Sequence, residues 1–181
     1  MLIATEFTFA ASACGSNENP AKQRSSTATP AMTGQPTNRP TSQSPMPTME
    51  YLSDMDPLTS TRGVDTGAVE VNGRGFPRSV TLWVNAAGPV SEAEYNLGRH
   101  WKKFTATAGL RDDSPTGGKL TFEVSADGRS IFKKQITLGE SRDVDLNVDG
   151  ALRLKLTVTY SGQDSGSSYN GTWGDARIEG P

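Results

Sequence analysis

The 181-residue sequence contains little of what catalysis and membrane anchoring usually require. It has one cysteine, Cys14, and one histidine, His100, and no segment approaches the ~18 consecutive apolar residues of a membrane helix. An intrachain disulfide is therefore excluded, and a histidine base would have to be His100. The formal net charge of -2 gives no basic excess, so we expect no nucleic-acid partner.

The first fourteen residues have the character of an export segment. They are mostly small and apolar, and small residues directly precede Cys14, as in a bacterial lipoprotein cleavage box. We expect Cys14 to be lipidated, so that the protein is extracytoplasmic and held at the membrane by lipid only, or secreted. The alternative is a disordered start with an incidental thiol. No Lys or Arg precedes the apolar run and Glu6 interrupts it, which favours a true start before Met1.

Residues 15–48 differ sharply from the rest of the chain. They contain six prolines among many Ser and Thr and almost no large apolar residue. Too little apolar surface is available to offset the entropy of ordering, so we predict a disordered linker, either a stalk or plain low-complexity sequence. Residues 49–181 then form one domain.

Within this domain, apolar and polar residues alternate with period two, which is typical of half-buried strands. The turn Asp127-Gly128 indicates a hairpin, and Asp149-Gly150 is a second turn of the same kind. Predicted strands are 51–55, 68–71, 79–84, 92–97, 104–108, 120–126, 131–138, 144–148, 152–158 and 175–179. The pattern predicts an all-β protein, an antiparallel jelly-roll β-sandwich.

The sequence contains few residues that could form a catalytic site. His100 lies in a polar turn, and no Gly-x-Ser-x-Gly elbow exists. Asp112 and Asp113 are adjacent, which suits a loop or a metal better than the facing carboxylates of a glycosidase. We therefore expect no enzyme.

Two acidic patterns suggest calcium. Residues 145–150 match the start of an EF-hand loop, but Leu156 stands where the bidentate Glu belongs, so we interpret these acids as the solvated side of a strand. Asp112, Asp113 and Asp175 are better candidates for oxygen ligands of a structural calcium ion, although their spacing alone does not establish a site.

Aromatic residues near polar ones are typical of sugar sites, where a flat ring covers the apolar face of a pyranose. One such group is Trp83 with Arg78. The other is the Gly- and Ser-rich segment 162–174, which contains Tyr169, Asn170 and Trp173. These five residues are the candidate carbohydrate ligands. For the aromatic side chains, packing in the core is the competing interpretation.

Several blocks, in order along the chain, resemble the NPCBM domains, novel putative carbohydrate-binding modules often attached to glycoside hydrolases. The blocks are 51–55, 78–80, 94–99, 104–113, 122–128 and 173–177. The resemblance implies a galactose-binding-like β-sandwich that recognises sugars through loops at one end and, in some relatives, holds a structural calcium ion.

The sequence also departs from this family pattern. Many relatives carry a histidine before the Tyr-x-Leu block, whereas residues 75–83 here contain none. The resemblance itself implies a non-catalytic module that binds a carbohydrate or a cell-wall glycan. The missing histidine favours an alternative, a protein-interaction or scaffolding domain that has lost sugar binding.

Overall fold

A computed structural model describes residues 48–163 and 166–180. The expected export segment with Cys14 and the expected linker up to residue 47 lie outside this part of the chain. Eleven strands are present among the described residues: β1 Met49–Tyr51, β2 Thr59–Ser60, β3 Asp65–Val71, β4 Arg74–Asn85, β5 Val90–Asn96, β6 Lys103–Leu110, β7 Lys119–Ala126, β8 Arg129–Thr137, β9 Ser141–Asn147, β10 Arg153–Tyr160 and β11 Ser168–Glu179. No helix in the described part has the length and apolarity of a membrane span.

The strands form two antiparallel sheets, which confirms the predicted all-β sandwich. Sheet I has the order β3-β4-β11-β6-β9, with β1 also paired to β11, and sheet II has the order β2-β5-β10-β7-β8. The alternating apolar side chains of both sheets meet in a single core. Trp173 lies in this core in edge contact with Phe104, Phe122 and Phe132, at centroid distances of 6.4, 5.3 and 6.2 Å.

The two Asp-Gly turns have different outcomes. Asp127 and Gly128 both have positive φ, 48° and 78°, and join the paired strands β7 and β8, so the predicted hairpin is confirmed. The chain also turns at Asp149-Gly150, but there it crosses from β9 in sheet I to β10 in sheet II. Alternation identifies a strand and its buried face, whereas the partner of that strand depends on tertiary packing.

The last strand is the largest correction to the sequence analysis. Residues 168–174, expected in a loop, form the first part of β11, which pairs with β4 on one side and β6 on the other. Gly171 allows close packing there, because a Cβ atom would lie 2.6 Å from a Val158 methyl carbon in sheet II. The Gly and Ser content that suggested a loop instead permits a tightly packed central strand.

Strands β3 and β4 form a hairpin that leaves the plane of sheet I. β4 pairs with β11 only from Val80 onward, and residues 74–79 pair with β3 alone, while β1 pairs with the end of β11. We call residues 65–79 the outer hairpin. Its turn, Asn72-Gly73, has φ of 52° and 70°, which is the geometry of a tight two-residue hairpin.

The outer hairpin lies against the outer face of sheet I at two glycines. A Cβ atom on Gly109 would lie 2.4 Å from a Val71 methyl carbon, and one on Gly174 would lie 2.6 Å from the Phe76 ring. Both contacts require the absence of a side chain on β6 or β11. The hairpin thus converts an otherwise flat outer sheet face into one with walls and depressions.

Candidate functional site

A large depression lies beside the outer hairpin, and we call it the arginine cleft. It has a volume of about 760 Å³. One wall is formed by the outer hairpin, including Glu70, Phe76 and Pro77, and the other by Arg111 and Asp113, which directly follow β6. A concave site with a few converging polar groups is the usual form of a small-molecule site.

The polar wall of the cleft is held in one arrangement. Arg111 donates from Nε and Nη2 to the two carboxylate oxygens of Asp113, at 2.6 and 2.7 Å. Asn170 is fixed beside this pair through its backbone, because its carbonyl accepts the Arg111 N–H at 3.0 Å and its N–H donates to Ser114 Oγ at 3.3 Å. The guanidinium and the carboxylate are therefore preorganised.

The same contacts determine the charge of the wall. The hydrogen bonds and positive charge of Arg111 hold the pKa of Asp113 below its usual range, and Asn170 contributes less to this shift. Asp113 in turn raises the pKa of Arg111. The pair stays ionised near neutral pH. Asp113, whose side chain is 62% exposed, can still accept hydrogen bonds from a ligand's hydroxyl groups.

Asp112 has a structural role at the edge of the cleft. Its two carboxylate oxygens accept the backbone N–H groups of Asn72 and Gly73, at 2.7 and 2.8 Å, and its own N–H donates to the Glu70 carbonyl at 3.0 Å. Asp112 therefore fastens the turn of the outer hairpin to the end of β6.

The predicted sugar-binding residues do not form one group. Asn170 contacts Arg111 through its backbone but does not line the arginine cleft, and Trp83 is its cross-strand neighbour on β4. The Trp83 ring is half-buried, with the Arg62 guanidinium 4.6 Å from its centroid and its Nε1 donating to the Arg62 carbonyl at 3.3 Å. Arg78 instead forms an ion pair with Asp54 and lies 4.8 Å from the centroid of Tyr51, so it does not join Trp83.

The predictions that Tyr169 and Trp173 contact sugar are wrong in this structure. Both side chains are fully buried, because each points inward from β11 toward sheet II. Tyr169 stacks on Tyr160 with ring centroids 5.1 Å apart, and Trp173 lies among three phenylalanines. The competing interpretation, packing in the core, is correct for both.

The residues predicted to bind calcium do not fit a calcium site. Asp112 and Asp113 already accept backbone N–H groups and a guanidinium, respectively, and Asp175 Oδ1 accepts the backbone N–H of Arg78 at 3.1 Å. In the described ranges, no group of three or more His, Cys, Asp or Glu residues is placed to hold a metal ion. Asp145 and its neighbours lie on the solvent face of β9, as interpreted.

Of the residues that line the cleft, only Asp112 and Asp113 were selected from the sequence, and the ones not selected include Arg111, Glu70 and Phe76. Arg111 lies two residues before Asp113, a spacing at which a guanidinium can reach a carboxylate. Glu70 and Phe76 flank Asn72-Gly73, and Asn-Gly between apolar residues is a strong hairpin signal that could have located the outer hairpin.

Comparisons with known proteins agree with this architecture. A model of the NPCBM/NEW2 domain family matches residues 48–179. Among solved structures, a CBM51 module from Clostridium perfringens GH95, in complex with methyl-galactose, is 23% identical with a TM-score of 0.60, and the match covers 72% of this chain and 99% of that one. No curated protein matches.

Two longer Clostridium perfringens structures also match. The M60 catalytic domain of ZmpB with its CBM51-1 and CBM51-2 domains is 22% identical with a TM-score of 0.60, and CBM51-2 of ZmpB with GlcNAc and INT domains is 17% identical with a TM-score of 0.56. Each match covers 73% of this chain, but only 15% and 31% of those chains. At these identities the likeness establishes the fold.

Proposed function

Since the chain belongs to the NPCBM/NEW2 domain family, we propose that it binds a neutral sugar residue in the arginine cleft. The family consists of non-catalytic carbohydrate-binding modules, and the domain is not an enzyme. The single observation that carries the proposal is the preorganised pair of Arg111 and Asp113 on one wall of a concave site.

The chemistry of this wall suits vicinal hydroxyl groups. The carboxylate of Asp113 accepts from hydroxyl groups, and the guanidinium of Arg111 keeps N–H donors beyond the two that it gives to Asp113. Arg111 and Asp113 together carry no net charge. The apolar atoms of Pro77 and Val69 on the facing wall can contact the ring of a sugar.

The choice of sugar follows from the similar structures. One CBM51 module was solved in complex with methyl-galactose and another, CBM51-2 of ZmpB, with GlcNAc. We propose galactose or N-acetylglucosamine residues of an extracellular or cell-wall glycan as the ligand. Calcium is not part of the proposal, because the carboxylates of the cleft already have protein partners.

The test compares two arginine–carboxylate pairs on opposite sheets. Asp113→Asn removes the charged acceptor in the cleft, and Glu94→Gln alters the matched pair with Arg153, at 3.1 Å, on sheet II. We expect Asp113→Asn to weaken binding of methyl galactoside or N-acetylglucosamine about tenfold or more, measured by titration NMR, and Glu94→Gln to leave binding unchanged. Equal effects of the two variants would contradict the assignment of the site.

The absence of a histidine from residues 75–83, where many relatives carry one, supports the alternative function, a module that has lost sugar binding and contacts a protein. Failure of the unmodified protein to bind either sugar or a panel of cell-wall fragments would favour this alternative.

We also propose that Cys14 is lipidated and that residues 15–48 separate the sugar-binding domain from the membrane. The small residues before Cys14 and the proline-rich composition after it support this arrangement. In a bacterial host, Cys14→Ser should move the protein from the membrane fraction to the soluble extracytoplasmic fraction. Membrane association of Cys14→Ser would contradict lipid anchoring.

A further inference from the structure

We propose that the outer face of sheet I carries a second, separate binding site for a neutral hydroxyl-rich ligand, such as one further sugar residue. The site is a pocket of about 280 Å³ lined by side chains of β4, β6, β9 and β11. We call it the threonine pocket, because Thr105 and Thr107 of β6 lie on its floor. The inference that this ligand is a sugar rests on the proposed function.

The outer hairpin forms one side of this pocket. Phe76 lies over Gly174, which has no side chain to fill the space, and the Arg74 guanidinium lies 4.8 Å from the Phe76 ring centroid. On the opposite side, Asp143 and Asp145 project from β9 directly across from Thr107 and Thr105. The pocket is therefore a consequence of the same hairpin that forms the arginine cleft.

Thr105 is the observation that points to a ligand. Its side chain is nine-tenths buried, with a relative exposure of 9%, and Oγ1 has no hydrogen-bond partner among the described residues. A buried hydroxyl group without a partner is unfavourable, and in native proteins such groups usually meet water or a ligand. Valine would fill the same space at this strand position without that cost.

The neighbouring hydroxyl group is already oriented. Thr107 Oγ1 donates to Asp143 Oδ1 at 2.9 Å, which holds the carboxylate at the edge of the pocket. The second oxygen of Asp143 has no protein donor among the described contacts, so it can accept from a ligand. The free carboxylate oxygen of Asp143 and the unpartnered hydroxyl group of Thr105 therefore belong to residues that line the same small space.

The charges around the pocket favour a neutral ligand. Three carboxylates line it, but Asp145 pairs with Lys103 at 2.9 Å and Asp175 accepts a backbone N–H, while Arg74 and Arg177 contribute positive charge. The described acidic residues do not form a group that could hold a metal ion. Opposite charges in such balance give no strong attraction for an ion of either sign.

The two sites are distinct along β6. Thr105 and Thr107 belong to the pocket and Arg111 to the cleft, and Val71 covers Gly109 between them, although Phe76 lines both sites. Arg111 lies four positions after Thr107, which corresponds to about 13 Å along a strand. One face can thus bind two sugar residues at once, which would raise the avidity for a branched or densely displayed glycan.

The experiment is a titration of the ¹⁵N-labelled protein with methyl galactoside and, separately, with N-acetylglucosamine, in which each site is followed through its own amides. We expect saturable shifts at Thr105, Thr107 and Gly174 in addition to those at the cleft. Thr105→Val should weaken the pocket response about five- to tenfold without lowering the melting temperature, whereas Asp113→Asn should affect the cleft amides only. Thr159→Val, on the outer face of sheet II, is the matched control.

The outcomes separate the two proposals. Saturable shifts at the cleft with none at Thr105, or an unchanged pocket response in Thr105→Val, would overturn the second site and leave the proposed function intact. No saturable shift at either site with either sugar would overturn both. Loss of both responses in Thr105→Val would show that the sites are not separate.

Discussion

The outer faces of the two sheets carry charged residues in different arrangements. On sheet II, Arg153 pairs with Glu94, Lys155 with Glu92 and Lys133 with Glu123, at 3.1, 3.7 and 2.8 Å. On sheet I, the outer hairpin covers the middle of the face and leaves polar groups around two depressions. Both faces are polar, but among residues 48–163 and 166–180 a second layer of chain shapes sheet I alone.

This difference indicates how a sandwich acquires a binding face. Exposed ion pairs contribute little to stability, and those of sheet II leave a surface whose charges are already matched. On sheet I, Gly109 and Gly174 allow the outer hairpin to approach the backbone of β6 and β11. The binding role we assign to sheet I therefore depends on two positions without side chains rather than on an excess of charge.

The change expected to have the largest effect is Gly174→Val. Its Cβ atom would lie 2.6 Å from the Phe76 ring, so the outer hairpin must move away from sheet I. We expect a loss of about 1–3 kcal/mol in the free energy of unfolding and the disappearance of both depressions as binding sites. Urea unfolding and sugar titration measure these effects.

Gly75→Ala is the stability control on the same hairpin. No atom lies within 4 Å of the Cβ position there, and φ is not positive, so we expect a change within about 0.5 kcal/mol. Equal stability of Gly174→Val and Gly75→Ala would contradict the close contact between the outer hairpin and sheet I.

A smaller effect is expected for Asp112→Ala. The substitution removes the acceptor of two backbone N–H groups in the turn of the outer hairpin, which are exposed and can bond to water instead. We expect a loss of about 1–2 kcal/mol and faster hydrogen exchange in the outer hairpin than in sheet II. Asp149→Ala, at another Asp-Gly turn, is the control, and unchanged exchange in Asp112→Ala would show that the carboxylate does not fasten the hairpin.

The smallest effect is expected for the pH dependence of stability at Asp127, which lies in the turn between β7 and β8 of sheet II. Backbone N–H groups of Arg153 and Leu152 hold the pKa of Asp127 below its usual range. A lowered folded pKa contributes stability that is present above the unfolded value of about 3.9 and is lost as the pH falls through the folded value. Asp127→Ala should therefore show a shallower loss of stability below about pH 4 in urea unfolding; curves parallel to the unmodified protein would contradict this.

Much of the fold is predictable from the sequence because alternation reports which side of a strand is buried. Leu120, Phe122 and Val124 are all fully buried, as their spacing indicates. The same local rule does not identify β11, because Gly171 and Gly174 read as turn residues until their close neighbours on other strands are known. β2, with two residues, is too short to give any periodic signal.

The candidate site was only partly predictable for a related reason. Asn170 and Asp113 were each selected, for different ligands, but Asn170 is brought to the segment that follows β6 only by the pairing of β6 with β11. Tyr169 and Trp173 were selected as aromatic residues in a polar segment. In β11, however, both occupy alternate positions whose side chains point into the core. The sequence shows which chemical groups are available. The cavity, however, is formed by the outer hairpin, whose position depends on tertiary contacts.

The most direct test of the assignment to sheet I is paramagnetic broadening by a nitroxide-labelled galactoside. The label broadens amide signals near the bound sugar and leaves distant ones sharp. We predict the strongest broadening at residues 69–75 and 111–113, with the amides of β5 and β10 in sheet II unaffected. Saturable broadening centred on β5 and β10, with sharp signals at the outer hairpin, would contradict the account.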